Sequence, residues 1–220
     1  LPMLKFSRRK FFTIKNNIST NDIAKIIKNN IIDQRDNENF QIFEISSLKN
    51  FRENSILFID NDLKLDKIDN KNIFVVTNNK VIFDNKNFKN ITLVENLNNA
   101  FIDIVNFIFI HDDSLDYFDD FNLINNSYIS KKAIIHKTSK IFNNCVIGKG
   151  VEIGKNCIIK NNVVIKNTLI KDNVIICDNS SIGTTGFGFD FKKRGSLNLI
   201  PQIGIVIIDN NVHIGSSCTI

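Results

Sequence analysis

Tryptophan is absent from this 220-residue sequence, and proline, methionine, histidine and cysteine are scarce. The four cysteines, at positions 145, 157, 177 and 218, have no Cys-x-x-Cys spacing, so they predict neither a disulfide scaffold nor a metal site. With two prolines, nine glycines and 43% hydrophobic residues, the composition also excludes a collagen-like or a disordered chain. The length allows one large domain or two small ones.

Long apolar runs are missing as well. The most apolar stretch, Phe101–Ile110, contains Asp103 and Asn106 and is too short to cross a bilayer. The basic N-terminal stretch lacks an apolar centre and a small-residue cleavage site, so no signal peptide is predicted. We therefore expect a cytoplasmic protein with at most peripheral membrane contact.

Isoleucine and asparagine, by contrast, are abundant, with 40 and 35 copies. The asparagines are dispersed among Ile, Phe and Lys, as an AT-rich coding bias would leave them, rather than gathered into a prion-like segment. Basic residues are concentrated toward the end of the chain, where residues 131–220 carry 12 Lys and Arg against 5 Asp and Glu. This excess favours acidic partners such as phosphates or an acidic carrier protein, although single lysines on turns are commonly just solvated.

A six-residue repeat of isoleucine is the strongest pattern in the sequence. Isoleucine occupies positions 135, 141, 147, 153, 159 and 165, then 170, 176 and 182 after one five-residue step, and 208, 214 and 220 after a gap. A small or β-branched residue stands two positions before each isoleucine, from Ala133 to Cys218. Residues two apart share one face of a strand, so each hexad offers one large and one small inward side chain. Turn residues such as Gly148-Lys149-Gly150 fill the gaps.

Three hexads close one triangular coil, so the repeat predicts a left-handed parallel β-helix over residues 131–220, about four coils and about 19 Å tall. Cys145, Cys157 and Cys218 take the small inward position and are interpreted as packing residues, whereas Cys177 falls on a turn. The pattern stops at Ile220 without a capping element, and we therefore expect the natural protein to continue past it.

An inserted loop interrupts the repeat over residues 183–205. A regular coil does not need an insertion of this length to fold, which favours a functional role. The loop contains Gly186-Phe187-Gly188-Phe189, where flexible backbone alternates with aromatic rings. We predict a flap over a cleft between neighbouring subunits; the alternative is a loop whose phenylalanines staple it to the prism.

The first 110 residues predict a small α+β domain. Ser19 or Thr20 would cap a helix over residues 22–28, and a second helical pattern spans residues 99–110. Strands are expected over residues 40–46, 56–59, 73–77, 81–83 and 91–94. A polar linker over residues 111–130 would lead into the β-helix.

The loop and the strand after it resemble a known family. The stretch IGTTGFGFDF, followed by IPQIGIVIIDNNVHIGSSCTI, is similar to the UDP-3-O-acylglucosamine N-acyltransferases of lipid A biosynthesis, whose members share an I-G-x-x-G-F-G-F loop and then I-P-Q-x-G. The resemblance implies substrate-binding roles for Gly186, Phe187, Gly188, Phe189 and Gln202. It extends more weakly to the N-terminal domain, where that family binds uridine with an F-x-x-N-x-x-Y segment.

In this sequence Phe58 and Asn61 keep the first two positions of the uridine segment, and Lys64 replaces the tyrosine. Stacking of the uracil ring on one aromatic side chain contributes about 0.5–1.5 kcal/mol, so the loss of the tyrosine would weaken uracil binding rather than abolish it. The alternative, which the sequence favours equally, is that Phe58 is an ordinary buried strand residue.

The resemblance implies a homotrimer that moves a 3-hydroxyacyl chain from acyl carrier protein to the 2-amino group of UDP-3-O-acyl-glucosamine. It implies no metal, no cofactor and no nucleic-acid partner. Acyl transfer to an amine needs a general base, for which histidine is suited. None of the three histidines, His111, His136 and His213, matches the family's catalytic histidine, so the sequence assigns no catalytic residue.

Two other functions stay open at this point. One is a different hexapeptide transferase, either acetyl-CoA-dependent or acting on a hydroxyl group. The other is a non-catalytic β-helix, as a trimeric scaffold or a vestigial copy, which the missing base and Lys64 favour.

Overall fold

The structure, a computed structural model, describes residues 10–35, 38–48, 52–60, 72–110, 121–190 and 197–220. These residues form two compact units. One contains the described parts of 14–110 together with 188–201; the other contains 10–13, 121–187 and 202–220. This division differs from the predicted boundaries because residues 10–13 group with the hexads and residues 188–201 do not.

A five-stranded sheet forms the centre of the first unit. Its strands, in spatial order, are Ile31–Arg35, Asn90–Val94, Ile73–Thr77, Ser55–Ile59 and Glu44–Ser46. The last four run parallel, and Ile31–Arg35 joins antiparallel at one edge. Every residue of Ile73–Thr77 and Asn90–Val94 is buried, as expected for parallel strands covered on both faces. Shorter strands pair Thr13–Ile14 with Phe109–Ile110 and Ile18–Ser19 with Gln41–Ile42.

Two of the helices in this unit were anticipated from the sequence. Helix α1, Thr20–Ile27, begins at the N-cap Ser19, which forms a capping box with Asp22 and is followed by a short 3₁₀ turn, Lys28–Asn30. Helix α3, Leu97–Ile108, begins at Asn96, whose side chain accepts a hydrogen bond from the Asn99 backbone. In the described ranges, no helix is long and apolar enough to cross a membrane.

The strand predicted at residues 81–83 is wrong. Those residues belong to helix α2, Lys80–Asp84, whose N-cap Asn79 accepts a hydrogen bond from the Val81 N–H. A run of three apolar residues fits both the helical and the strand period, so the pattern could not distinguish them. The side-chain cap of Asn79 favours the helix.

Three stacked parallel sheets form the second unit and confirm a β-helix-like fold; its handedness stays a prediction. The first sheet contains Ser127–Ser130, Val146–Ile147, Val164–Ile165 and Ser181–Ile182; the second Ile134–Ile135, Glu152–Ile153, Thr168–Ile170 and Val206–Ile208; the third Lys140–Ile141, Ile158–Ile159, Ile175–Ile176 and His213–Ile214. Tyr128 pairs with Val146 and Ile134 with Glu152, eighteen residues apart, so three hexads make one coil. The five-residue step shortens the next coil by one residue, which pairs Ile158 with Ile175.

The interior of the coils contains the small and large residues that the repeat predicted. Four of the small inward residues are fully buried: Cys145, Val151, Cys157 and Val163. The isoleucines two positions after them are fully buried too, except Ile153, which is 2% exposed. The Cys145 and Cys157 thiols donate to the carbonyls of Lys160 and Lys171, each over 3.0 Å. Cys218 is half-buried against the same core. The packing interpretation of these three cysteines is therefore supported.

Asparagine has a structural role at the corners of the coils. The residue before the small inward position has a positive φ at Asn144, Asn156, Asn162, Asn167, Asn173, Asn179 and Asn211. Asparagine tolerates this left-handed conformation better than most residues with a Cβ. Some corner side chains also form a ladder, in which Asn156 donates to Asn173 and Asn173 donates to Asn211. Coding bias is therefore an incomplete account of the asparagine content.

The predicted linker over residues 111–130 is too long. Residues 121–130 form an antiparallel hairpin, Phe121–Ile124 with Ser127–Ser130, whose second strand starts the first sheet of the β-helix. Asn125 and Asn126, both at positive φ, make the two-residue turn. Residues 111–120 lie outside the described residues.

Candidate functional site

The inserted loop is the longest departure from regular coiling within the described β-helix. Across it Leu169 pairs with Ile207, a step of 38 residues where the neighbouring coils step 17 or 18. The strands on either side stay in register, so the loop leaves the coil and returns without disturbing the stack.

Glycine is required where the loop begins. Gly183 has a φ of +68°, and a Cβ at this position would overlap the Lys166 carbonyl oxygen. Its backbone N–H donates to the Ile220 carbonyl and its carbonyl accepts from the Asn167 amide, at 2.8 and 3.1 Å. The exit of the chain from the coil is thus fixed by three neighbours.

Gly186 and Gln202, both predicted site residues, meet at the neck of the loop. The Gly186 N–H donates to Oε1 of Gln202 over 2.8 Å. A Cβ at Gly186 would lie 2.9 Å from Nε2 of the same side chain, so a larger residue would push the glutamine away. The structure therefore gives Gln202 a clamping role, which explains why a glycine stands opposite it.

Phe187 follows the clamp and is 89% exposed. This exposure excludes a role in the core, and contact with a substrate stays a prediction, since single exposed apolar side chains are common on protein surfaces.

Two short segments of the loop pair with each other. Phe189–Asp190 pairs antiparallel with Asn198–Leu199, and the Ile200 N–H donates to the Gly188 carbonyl. Phe189 is half-buried, and Asp190 is buried. The two phenylalanines of the motif therefore have different environments, and their substrate contacts stay predictions.

Phe58 packs within the sheet unit. It lies on strand Ser55–Ile59, half-buried, and its ring meets that of Phe101 from helix α3 edge to face with centroids 5.0 Å apart. This contact supports the structural interpretation, and a uridine contact of Phe58 stays a prediction. Asn61 and Lys64 lie outside the described residues.

The two described histidines make short contacts on the outside of the β-helix. Nδ1 of His136 lies 3.0 Å from Oγ1 of Thr138, two residues on. Nε2 of His213 lies 3.2 Å from Sγ of Cys177. His111 lies outside the described residues.

The pairing of Cys177 with His213 was missed because the sequence interpretation treated them as a turn residue and a surface residue. The available signal was the coil register, which sets Ile175 opposite His213 across the insertion. A thiol beside an imidazole is the arrangement in which cysteine nucleophiles are found. Cys177 is buried, however, which limits access for a substrate.

Burial and hydrogen bonds shift the pKa of several side chains on the β-helix. Burial raises the pKa of the Cys145 thiol above its ordinary value. The Asn161 side chain, followed by its backbone N–H, lowers the pKa of Asp178, and the Lys171 ammonium lowers that of Asp209. Within the described part of the chain, no group of three His, Cys, Asp or Glu side chains is arranged to hold a metal ion.

Comparison with known families finds a match to part of the chain. Residues 123–188 match the GMPPB C-terminal domain, a left-handed β-helix-like hexapeptide-repeat domain of nucleotidyltransferase-related proteins. No curated protein matches the chain significantly. The match covers the regular coils up to the loop and supports a hexapeptide-repeat domain. The likeness to N-acyltransferases rests on the quoted sequence resemblance and stays a prediction.

Proposed function

We propose that the chain is a subunit of a hexapeptide-repeat acyltransferase that moves a 3-hydroxyacyl group from acyl carrier protein to the 2-amino group of UDP-3-O-acyl-glucosamine. The observation that carries this proposal is the loop of residues 183–205, in which the motif residues Gly186 and Gln202 clamp the neck and Phe187 stands exposed. Such a constructed excursion is typical of loops that bind or catalyse.

The reaction would form a bond between the substrate nitrogen and the acyl carbon while the carbon–sulfur bond of the thioester breaks. The amine must lose a proton, and the departing thiolate of the carrier takes one up. No base is assigned within the described residues, since the contacts of His136 and His213 do not connect either ring with the loop.

A homotrimer would give the loop a second wall. A flat-sided prism with one long loop offers a cleft where a neighbouring face closes it, and closed symmetric assemblies are the rule for homo-oligomers. The basic excess of residues 131–220 suits an acidic carrier protein and a diphosphate.

A non-catalytic role is the second candidate, because the family match describes a repeat domain of nucleotidyltransferase-related proteins. On this hypothesis the β-helix holds subunits together or binds a sugar nucleotide without chemistry. A transferase that uses acetyl-CoA or acylates a hydroxyl group is the third.

A transfer assay distinguishes these candidates. The protein, expressed from its complete reading frame, is incubated with 3-hydroxyacyl carrier protein and UDP-3-O-acyl-glucosamine, and the product is followed by its mass. Acetyl-CoA and an unacylated UDP-sugar are supplied in parallel reactions. Product in the first reaction alone supports the proposal, and product from acetyl-CoA favours the third candidate.

Binding of the UDP-sugar without any product would refute the proposal in favour of the non-catalytic candidate. Phe187→Ala should lower kcat/KM by about tenfold, the equivalent of 1.4 kcal/mol for one aromatic contact. The matched control is Phe142→Ala, which removes another exposed ring of the β-helix, outside the loop, and should leave kcat/KM unchanged.

A further inference from the structure

A cavity of about 300 Å³ lies on the β-helix unit. Three aromatic rings, of Phe11, Phe121 and Tyr128, line it together with Val146 and two lysines, Lys149 and Lys166. No Asp or Glu is among the described residues that line it. Its volume is at the lower end of the range for small-molecule sites, and apolar walls with a few polar groups are typical of them.

Regular elements hold the aromatic wall in place. Tyr128 and Val146 are partners in adjacent strands of the first sheet, with outward side chains. Phe121, on the neighbouring strand of the hairpin, meets the Tyr128 ring edge to face at 6.4 Å and 84°. Phe11 is buried. The rings are therefore positioned before any ligand arrives, which lowers the entropic cost of binding.

The lysines come from the corners of two successive coils. The Gly148 N–H donates to the Ile165 carbonyl over 2.8 Å, which brings the corner of Lys149 beside that of Lys166. A Cβ at Gly148 would lie 3.3 Å from Cγ of Lys166, so the glycine leaves space for the lysine side chain. The Lys149 ammonium at this apolar cavity attracts an anion, and the low polarity of the walls strengthens the attraction.

Lys155 provides an internal comparison. It occupies the same turn position as Lys149, one hexad later, in Gly154-Lys155-Asn156 against Gly148-Lys149-Gly150. Lys155 is exposed, whereas Lys149 is half-buried at the cavity. Turn position alone therefore does not explain the placement of Lys149.

We propose that this cavity binds an aromatic anion, that is, a flat ring that bears a carboxylate or a phosphate. The ring would stack among Phe11, Phe121 and Tyr128, and the anionic oxygens would meet the ammonium group of Lys149. This proposal does not depend on acyl transfer as the proposed function.

Tyr128 makes a direct test possible. The protein has no tryptophan and two tyrosines, so Tyr117→Phe leaves Tyr128 as the one strong intrinsic fluorophore. In this background the Tyr128 emission is titrated with 3-phenylpropionate, 3-cyclohexylpropionate and 3-phenylpropan-1-ol. We expect a saturable change with 3-phenylpropionate and an affinity about threefold to tenfold lower for each of the other two, which lack the flat ring or the charge. Phenyl phosphate in a fourth titration tests whether the anionic group can be a phosphate.

Matched variants locate the charge. Lys149→Met should weaken 3-phenylpropionate about threefold to tenfold while leaving the alcohol unchanged, and Lys155→Met should weaken neither. Thermal melting verifies that each variant is folded. The proposal is overturned if Tyr128 emission does not saturate, if the alcohol or the saturated ring binds as well as the aromatic anion, or if both lysine variants lose affinity equally.

Discussion

Asn173 offers the sharpest test of how the corners of the β-helix are built. Its φ is 58°, its backbone N–H donates to the Lys155 carbonyl over 2.8 Å, and its side chain connects Asn156 and Asn211 at 3.3 and 3.2 Å. Asn173→Gly removes the side-chain ladder, but glycine adopts the positive φ at this position without strain. Asn173→Ala removes the ladder and also forces a Cβ into the left-handed region.

The expected magnitudes follow from these two differences. Both variants lose two exposed hydrogen bonds, each worth about 0.5 kcal/mol net because water replaces the partner. The alanine adds about 1–2 kcal/mol of left-handed strain. The glycine variant loses about 0.4–1 kcal/mol of stability because glycine increases the conformational entropy of the unfolded chain. The glycine variant should therefore be more stable than the alanine variant by about 1 kcal/mol.

Lys155 supplies the control because it lies on a turn of the same unit without a positive φ. There the order should reverse, with Lys155→Ala more stable than Lys155→Gly by about 0.4–1 kcal/mol. Urea unfolding of the four variants, followed by circular dichroism, measures both differences. Alanine and glycine ranking in the same order at both positions would refute the explanation of the corners.

Three further predictions concern hydrogen bonds and acidity. Because burial raises the pKa of Cys145, the unfolded thiol ionises first, and the free energy of unfolding should fall as pH rises above the ordinary value of 9.0; urea titrations across that range should show a smaller fall for Cys145→Ser. The Ser19 hydroxyl and N–H lower the pKa of Asp22, so this carboxylate stabilises above its ordinary value of 3.8 and the benefit is lost as pH falls through its lower folded pKa. Ser19→Ala should cost about 1 kcal/mol at neutral pH and less in acid, and an equal cost at both pH values would contradict the cap. Gln202→Ala should speed hydrogen exchange at the Gly186 amide about twofold to tenfold, and an unchanged rate would show that the clamp is not what protects it.

The hexads illustrate what a local pattern can predict. A strand of two residues followed by a turn repeats six positions later, so the inward residues can be read from spacing without any partner being known. The same holds for the capped helix α1, where Ser19 and Asp22 lie within one turn of each other. The helix at Lys80–Asp84 was missed because its apolar run is too short to show a period.

Other features depend on pairs that lie far apart in the chain. The Gly186–Gln202 clamp, the Cys177–His213 contact and the corner of Lys149 against Lys166 each join residues 16 or more positions apart. The coil register could have indicated the second of these, but it does not show how close two side chains approach. The three rings of the cavity come from a segment before the sheet unit, a hairpin strand and a β-helix strand, which no sequence period relates.

The sequence by itself determined the repeat, the inward side chains, the turn positions and the place of the insertion, because these follow from backbone geometry over six to eighteen residues. The tertiary structure decided that asparagines stack at the corners, that a glutamine closes the neck of the loop and that two lysines meet three aromatic rings at one cavity. The physical reason is that coiling sets residues of successive turns side by side, and the chemistry of such a site depends on that juxtaposition.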